Sequence, residues 1–177
     1  MSGVCDLSNE NISVDKALAI VLDNSESFGT EKTELTRSFN RVLKEAVFAD
    51  RDFPPFDRVS MDGIAIRFGS FQAGNRKFLI EGIQPAGSAQ KTLINKDHCI
   101  EVMTGAVLPA HTDTVIPYEQ VFIENNTATV QIDEIKKLQN IHLRGFDRKK
   151  ADKLISEDRL ISPAEISVLA TVGKYEV

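Results

Sequence analysis

The sequence predicts a mainly β protein of the α+β class, with a coiled or barrel-like antiparallel β domain and a few short helices. Three observations favour this class. Short runs of β-type residues dominate the chain between about residues 53 and 144, and turn residues separate these runs at regular intervals. Patterns typical of helices occur mainly before and after this region.

The first predicted element is a helix that begins after Ser13, whose hydroxyl group can cap it. Apolar residues recur here at the spacing of one helix face: Val14, Ala17, Leu18, Val21 and Leu22. Such a one-sided stripe needs a surface to pack against.

A short helical turn is predicted over Leu35–Phe39, after a loop that turns at Gly29. Asn40 follows this turn. Asparagine tolerates the left-handed backbone conformation better than other residues with a side chain. We therefore expect Asn40 to end the turn with a positive φ angle.

Six strands are predicted in the middle of the chain, each bounded by turn residues. They are Ile64–Phe68, Lys77–Ile83, Cys99–Met103, Thr114–Tyr118, Gln120–Ile123 and Thr127–Ile132. Asn125 and Asn126 lie between the last two strands and favour a tight hairpin there.

The last predicted element is a helix near the end of the chain. Ser162-Pro163-Ala164-Glu165 has the pattern of a capping box with proline at the first helical position. Gly173 favours a stop after the helix. The apolar face would consist of Ile166, Leu169 and Ala170.

Composition and charge argue against several classes of protein. The formal net charge of −5 argues against general nucleic-acid binding, because contact with phosphates needs a basic face. No apolar run of about 18 residues is present, so no membrane span is predicted.

The N-terminus and the cysteines bear on the expected location. The polar N-terminus lacks the apolar segment of a signal peptide. The two cysteines indicate no disulfide scaffold, which is typical of a reducing compartment. We expect a cytoplasmic location.

Two segments of the central region carry the candidate site residues. Asp62-Gly63 follows a stiff prolyl turn and precedes a strand, whereas Thr104-Gly105 follows a strand. Each strand thus has an oxygen-bearing side chain and a glycine at one of its ends. Two such strand ends, if they lie together, can form half of an anion or metal site. Taken alone, both segments have a plainer interpretation. Asp-Gly is a common turn, and a threonine that ends a strand often hydrogen-bonds its own loop.

Three motifs resemble those of the molybdopterin molybdotransferases, the family that comprises MoeA and the E domain of gephyrin. They are Met61-Asp62-Gly63, Met103-Thr104-Gly105-Ala106 and Asp113-Thr114-Val115-Ile116-Pro117-Tyr118-Glu119, in the family's order and at about its spacing. The resemblance runs from about Ser13 to Val177 and covers the first two-fifths of a typical family member. It implies an N-terminal fragment that lacks the family's nucleotide-pterin binding domain.

The resemblance also implies a domain organisation. Residues 51–147 would form a β-rich domain, inserted into a mixed α/β flank domain built from residues 1–50 and 148–177. In the family the first helix leans partly on the absent domain. Part of its apolar stripe is therefore expected to be exposed.

The implied activity is the insertion of molybdate into adenylylated molybdopterin with release of AMP, in a step that depends on a divalent metal such as Mg²⁺. Asp62 and Thr104 are the catalytic residues that the resemblance implies, and Asp62 is also the expected metal ligand. Four further residues are expected to bind substrate through hydroxyl, backbone N–H or guanidinium groups: Ser60, Gly63, Gly105 and Arg144.

Two positions depart from the family pattern. The family commonly has Asn-Ile-Arg followed by Gly-Glu-Asp, whereas this chain has Asn140-Ile141-His142 followed by Gly145-Phe146-Asp147. Any role of the family's arginine or glutamate therefore does not transfer directly to His142 or Phe146. Asp57, Asp113 and Glu119 are expected to be mainly structural.

The family resemblance implies a homodimer, with each site formed between the β domain of one subunit and the pterin domain of the other. The fragment alone is then expected to be inactive. A non-catalytic β scaffold or protein-interaction module of gephyrin type is the alternative, although a pure scaffold would not need Asp62 and Thr104. Without the resemblance, the residues would support an unrelated β barrel that binds a small ligand.

Overall fold

The computed structural model describes residues 12–26 and 28–177, and within them it contains three α-helices. The helices are α1 (Val14–Asp23), α2 (Phe68–Gln72) and α3 (Pro163–Thr171). Two short 3-10 helices span Leu35–Arg37 and Tyr118–Gln120. The strands are β1 (Val42–Leu43), β2 (Val47–Phe48), β3 (Arg58–Val59), β4 (Gly63–Ile66), β5 (Lys77–Gln84), β6 (Cys99–Val102), β7 (Thr114–Pro117), β8 (Val121–Glu124), β9 (Thr127–Val130), β10 (Ile141–His142), β11 (Lys153–Ile155) and β12 (Arg159–Leu160).

Six of these strands form one mixed sheet, in the order β7–β4–β6–β5–β9–β8. Neighbouring strands are antiparallel except β5 and β6, which run parallel. The sequence predicted an antiparallel sheet, so this pair is a difference in detail. Residues 85–98 form a long crossover between β5 and β6, and parallel strands require such a connection. The mainly β class with short helices is confirmed.

The two faces of this sheet are covered by separate hydrophobic clusters. Ile64, Ile116 and Phe78 belong to one cluster, whereas Ala65 and Val115 belong to the other. All four residues of β4 and all four of β7 are buried. A strand buried on both faces needs a continuous apolar run, which Gly63–Ile66 supplies. The residue before this run, Asp62, is exposed at the rim of the sheet.

The β8–β9 hairpin forms as the sequence predicted. Asn125 and Asn126 have φ angles of 48° and 61°, which a two-residue hairpin turn of this hand requires. Asn40 likewise has a φ of 61°, which confirms the left-handed conformation expected after the turn at Leu35–Arg37.

The two ends of the described chain fold together around a third hydrophobic cluster. β1 pairs with β12 and β2 pairs with β11, both antiparallel. The buried residues of this cluster come from both ends of the chain: Leu43, Val47, Ile155, Ile161 and Leu169. Contact between the flanks was predicted, whereas the domain boundaries at residues 51 and 147 stay a prediction.

Helix α3 begins with the capping box that its sequence predicts. The Ser162 side chain accepts a hydrogen bond of 3.2 Å from Ala164 N, and Glu165 Oε2 accepts one of 3.0 Å from Ser162 N. Leu169 is fully buried in the flank cluster. The helix therefore packs against the N-terminal flank, as expected.

Helix α1 also forms where it was predicted, with Ser13 as its N-cap. Its apolar stripe faces solvent: Val14, Leu18, Val21 and Leu22 are each more than half exposed. No residue of α1 is buried by the described part of the chain. None of the described helices is both long enough and apolar enough to cross a membrane.

Candidate functional site

The candidate site lies where the start of β4 meets the end of β6. These strands are antiparallel, and Gly63 of β4 pairs with Val102 of β6. Asp62 comes directly before β4, and Thr104 lies two residues beyond β6. In an antiparallel pair, one strand begins at the edge of the sheet where its neighbour ends. This register therefore brings the two motifs together.

Asp62 and Thr104 are joined by two hydrogen bonds. Both the backbone N–H and the hydroxyl group of Thr104 donate to Asp62 Oδ1, at 2.6 Å and 2.7 Å. These bonds, first the hydroxyl bond and then the backbone bond, hold the pKa of Asp62 below its usual value. Asp62 is therefore ionised at neutral pH. Within the described chain, its second oxygen, Oδ2, has no hydrogen-bond donor.

A tight turn presents the two donors of Thr104. Ala106 N donates to Met103 O at 3.0 Å and closes the turn, while Gly105 N donates to Val59 O at 2.8 Å and anchors it to β3. Gly105 has a φ of 86°, a conformation that favours glycine. The glycine of this motif therefore shapes the turn, and its predicted contact with substrate stays a prediction.

Gly63 has a different structural role. It is buried, and a Cβ atom at this position would lie 2.0 Å from the carbonyl oxygen of Ile116 on β7. Only glycine lets β4 and β7 approach so closely. This packing explains Gly63 without any ligand, so its predicted role in substrate binding stays a prediction.

Glu101 and Tyr118 form a second polar pair in the same region. The Tyr118 hydroxyl donates to Glu101 Oε2 at 2.8 Å, and Tyr118 N donates to the backbone oxygen of Asp62 at 3.2 Å. Burial, and then this bond to Glu101, raises the pKa of Tyr118 well above its usual value. The sequence analysis did not single out this pair. Its available signal was one charged residue, Glu101, in the otherwise apolar strand Cys99–Val102.

Ser60 and Arg144 are placed away from the Asp62–Thr104 contact. Arg144 Nε donates to Asp52 Oδ2 at 2.7 Å, and Arg144 N donates to Asp57 Oδ1 at 2.8 Å. A backbone bond from Lys150, followed by the Arg144 bond, lowers the pKa of Asp52. In the described chain, neither Ser60 nor Arg144 bonds to Asp62 or Thr104.

Ser60 lines an open cleft of about 280 Å³ beside β10. We call it the Ser60 cleft; its lining consists of Ser60, Leu138, Asn140, Ile141, His142, Leu143 and Phe146.

The three acidic residues that were expected to be mainly structural either accept a backbone hydrogen bond or are exposed. Asp57 accepts from Arg144 N, Asp113 accepts from Phe68 N at 2.6 Å at the start of α2, and Glu119 is exposed.

The described residues contain no group of three or more His, Cys, Asp or Glu side chains that could hold a metal ion. Asp62 offers one ionised carboxylate, and its Oδ2 accepts no hydrogen bond from the described chain. Mg²⁺ is commonly bound by one or two carboxylates together with substrate phosphates and water. The donor set therefore fits a magnesium ion shared with a phosphate-bearing ligand, and it does not fit a metal held by these residues alone.

Comparison with known proteins gives a consistent result. The family model for the MoeA N-terminal region (domain I and II) matches residues 12–173 of this sequence. A molybdopterin molybdenumtransferase of Synechocystis sp. is 34% identical over 167 residues, which are 94% of this chain and 43% of that protein. The enzyme of the same name from Staphylococcus aureus is 32% identical over 170 residues, with 94% and 40% covered.

A solved structure shows the same fold. The crystal structure of the molybdopterin biosynthesis MoeA protein from Pyrococcus horikoshii OT3 superposes with a TM-score of 0.84 at 30% sequence identity. The match covers 92% of this chain and 44% of that one. The chain thus spans about two-fifths of the length of the relatives that it matches.

Proposed function

The chain belongs to the MoeA N-terminal region family, and from this premise we propose that it is the N-terminal part of a molybdopterin molybdotransferase. The proposed enzyme inserts molybdate into adenylylated molybdopterin and releases AMP. One observation carries the proposal most directly. Two motifs that are distant in the sequence meet in a single exposed contact, the hydrogen bonds between Asp62 and Thr104.

Asp62 acts in this proposal as an ionised carboxylate that faces the substrate's phosphates. Its pKa is lowered by Thr104, so the group carries its negative charge at neutral pH. Oδ2 remains available to receive a cation or to orient a water molecule toward the pyrophosphate linkage. A magnesium ion, when bound, would offset the negative charge that builds up on the phosphate oxygens as AMP leaves.

Thr104 acts mainly as a positioning residue in the observed geometry. Its hydroxyl and backbone N–H groups both donate to Asp62, so neither is free to donate to a substrate oxygen in this arrangement. The resemblance implies that Thr104 is catalytic, and that role stays a prediction. The contacts support its part in holding Asp62 in place and ionised.

The site is proposed to be completed by groups outside this chain. One carboxylate and its supporting threonine are too few to hold a metal and an adenylylated substrate, and no further metal-ligating cluster exists in the described residues. We therefore propose that the remaining ligands come from the rest of the protein in a homodimer. The chain alone is then expected to release no AMP.

The proposed partners are adenylylated molybdopterin, molybdate and a second copy of the protein, and the proposed location is the cytoplasm.

The test is AMP release by the complete protein with the single change Asp62→Asn. This change keeps the size of the side chain and removes its charge. We expect turnover to fall on the order of 100-fold or more, as when a positioned catalytic group is removed. Asp133→Asn is the matched control, because Asp133 is exposed, lies in a loop and makes no hydrogen bond to Asp62 or Thr104. Unchanged turnover in the Asp62 variant would mean that Asp62 only shapes the turn.

A scaffold or protein-interaction module of gephyrin type is the second candidate. The exposed apolar stripe of α1 favours it, because a stripe of this kind usually contacts a partner. The two candidates differ in one measurement. A non-catalytic scaffold would give a complete protein that releases no AMP, whereas the proposed enzyme releases AMP and loses that activity with Asp62→Asn.

A further inference from the structure

Tyr118 connects three neighbouring strands at the rim that carries Asp62. In the sheet, β4 lies between β7 and β6. Gly63 of β4 pairs with Pro117, the last residue of β7. Tyr118 follows Pro117, and its N–H donates to the backbone oxygen of Asp62 at 3.2 Å. The Tyr118 hydroxyl group reaches past β4 and donates to Glu101 of β6 at 2.8 Å.

Glu101 is a second acidic residue close to Asp62. It pairs with Ile64, which lies only two residues along the chain from Asp62. Diagonal neighbours across an antiparallel pair are about 7–8 Å apart, a distance that long side chains can cover. Burial, then the bond and the charge of Glu101, and then the charge of Asp62 raise the pKa of Tyr118. Both carboxylates therefore act on the same hydroxyl group.

Each of the two carboxylates has its own hydrogen-bond donors. Thr104 gives both its N–H and its hydroxyl group to Asp62 Oδ1, whereas the Tyr118 hydroxyl group donates to Glu101 Oε2. A tyrosine hydroxyl has a single proton to give. Tyr118 therefore satisfies Glu101 and leaves the bonds between Thr104 and Asp62 undisturbed.

Loss of the Tyr118 hydroxyl group would change this distribution of donors. The half-buried Glu101 would lose its side-chain hydrogen bond, and an ionised carboxylate without a donor is costly where water has limited access. Glu101 would then be free to accept from the donors of Thr104 or to bind the cation proposed at Asp62. Its negative charge would also repel that of Asp62.

We infer that Tyr118 is a positioning residue for Asp62. Its N–H fixes the backbone of Asp62, and its hydroxyl group holds Glu101 away from the donors and the cation that Asp62 uses. The inference rests on the proposed function, because the cation and the phosphates enter only through that function. Tyr118 acts through Asp62 and Glu101, and not on the substrate.

The first experiment measures AMP release by the complete protein with Tyr118→Phe and with Tyr118→Phe combined with Glu101→Gln. The single variant should lose about tenfold or more in kcat with little change in KM, because a displaced group costs rate more than affinity. The combined variant should regain most of this loss, since glutamine carries no charge that competes with Asp62. Tyr175→Phe is the matched control, because Tyr175 is 78% exposed, and it should leave kcat unchanged.

Rescue by Glu101→Gln distinguishes positioning from stability. The combined variant still lacks the Tyr118 hydroxyl group, so it cannot regain activity by restoring the lost bond. Urea unfolding of each variant shows how much stability has changed. A combined variant that is no more active than Tyr118→Phe would mean that Tyr118 only stabilises the rim, and this result would overturn the inference.

The second experiment needs no substrate and no metal. The backbone N–H of Thr104 donates to Asp62, so its hydrogen exchange in the 177-residue chain reports on that contact. Tyr118→Phe should speed this exchange several-fold, and the added Glu101→Gln should slow it again. The amide of Leu169, which is buried in the flank cluster, should keep its rate in all variants. An unchanged Thr104 rate in Tyr118→Phe would also overturn the inference.

The two experiments separate this inference from the proposed function. If Asp62→Asn abolishes AMP release while Tyr118→Phe changes neither kcat nor the exchange of Thr104, the positioning role fails and the proposed function stands. If the exchange of Thr104 responds as expected while Asp62→Asn leaves AMP release unchanged, the contact between Tyr118 and Asp62 stands and the role proposed for Asp62 fails.

Discussion

The hydroxyl group of Tyr118 donates a hydrogen bond of 2.8 Å to the carboxylate of Glu101, at the same rim of the sheet that carries Asp62. Tyr118 N also donates to the backbone oxygen of Asp62. A side-chain bond and a backbone bond of one tyrosine thus connect two acidic residues. Loss of this hydroxyl should therefore lower the free energy of unfolding and loosen the segment that holds the backbone of Asp62.

Tyr118→Phe removes only that hydroxyl group. We expect the free energy of unfolding to fall by about 1 kcal/mol, because the partly buried Glu101 carboxylate loses a donor. Urea unfolding monitored by circular dichroism measures the change. Tyr175→Phe is the control, since Tyr175 is 78% exposed and should give no measurable change. Equal stability of the two variants would show that the Tyr118–Glu101 bond contributes nothing.

Thr104→Val removes one of the two hydrogen bonds to Asp62 and keeps the side chain's shape. We expect the pKa of Asp62 to rise toward its ordinary value of 3.8, because the hydroxyl bond is the largest cause of the depression. Thr104→Ser keeps the hydroxyl and should keep the low pKa. NMR titration of the Asp62 carboxyl carbon in each variant measures the shift. A valine variant that titrates like the serine variant would contradict the positioning role.

Gly63→Ala should destabilise the protein severely. The added Cβ would lie 2.0 Å from Ile116 O, which is backbone and cannot move without separating β4 from β7. Overpacking of this kind costs about 1–3 kcal/mol or more. Gly69→Ala is the control, because a Cβ at that position in α2 would have no neighbouring atom within 4 Å. Thermal unfolding should separate the two, with the Gly69 variant as stable as the parent or slightly more stable.

Glu165 should make the stability of the chain pH-dependent through the α3 capping box. Bonds from the Ser162 side chain and then from its backbone lower the pKa of Glu165 to about 2, against an ordinary value of 4.5. Since the folded pKa is the lower one, this contribution is fully present above about pH 4.5 and is lost as the pH falls toward 2.

Glu165→Gln isolates that contribution, because glutamine preserves the capping pattern but does not titrate. The urea midpoint of the parent should fall more steeply than that of the variant as the solution is acidified from pH 4.5 toward pH 2. Parallel pH profiles for the two proteins would show that the box contributes no proton-linked stability.

The α1 stripe should drive self-association of the chain. Leu18 and Val21 are 55% and 65% exposed on one helix face, and a contiguous apolar face tends to pair with a copy of itself. Light scattering over a dilution series should show a dimer that dissociates on dilution, and Leu18→Lys should give a monomer throughout. A parent chain that stays monomeric at high concentration would contradict this expectation.

Local patterns allowed the sequence to predict several elements correctly. The Asn125-Asn126 hairpin and the Ser162–Glu165 capping box depend on residues within four positions of each other, so their physics is complete in a short segment. The same holds for Asn40, whose positive φ needs no distant contact. Such elements could be read without knowledge of the fold.

Elements that depend on distant contacts were harder to predict. Helix α2 contains a glycine and lacks a helical apolar pattern, and its first N–H is satisfied by Asp113, which lies far along the chain. The parallel pairing of β5 with β6 depends on the path of a crossover loop. Proximity of Asp62 to Thr104 was predicted, but the use of both Thr104 donors by one carboxylate oxygen follows only from the β4–β6 register.

The position of β4 in the middle of the sheet has a consequence for motion at the candidate site. β4 is hydrogen-bonded to β6 on one side and to β7 on the other, and all its side chains are buried. Amide protons in such a strand exchange with solvent only when a large part of the protein opens, whereas those of the exposed α1 exchange through local fraying. Asp62 is attached directly to this strand, which we expect to be among the last to open. Its carboxylate should therefore keep its place through the small fluctuations that loosen the ends of the chain.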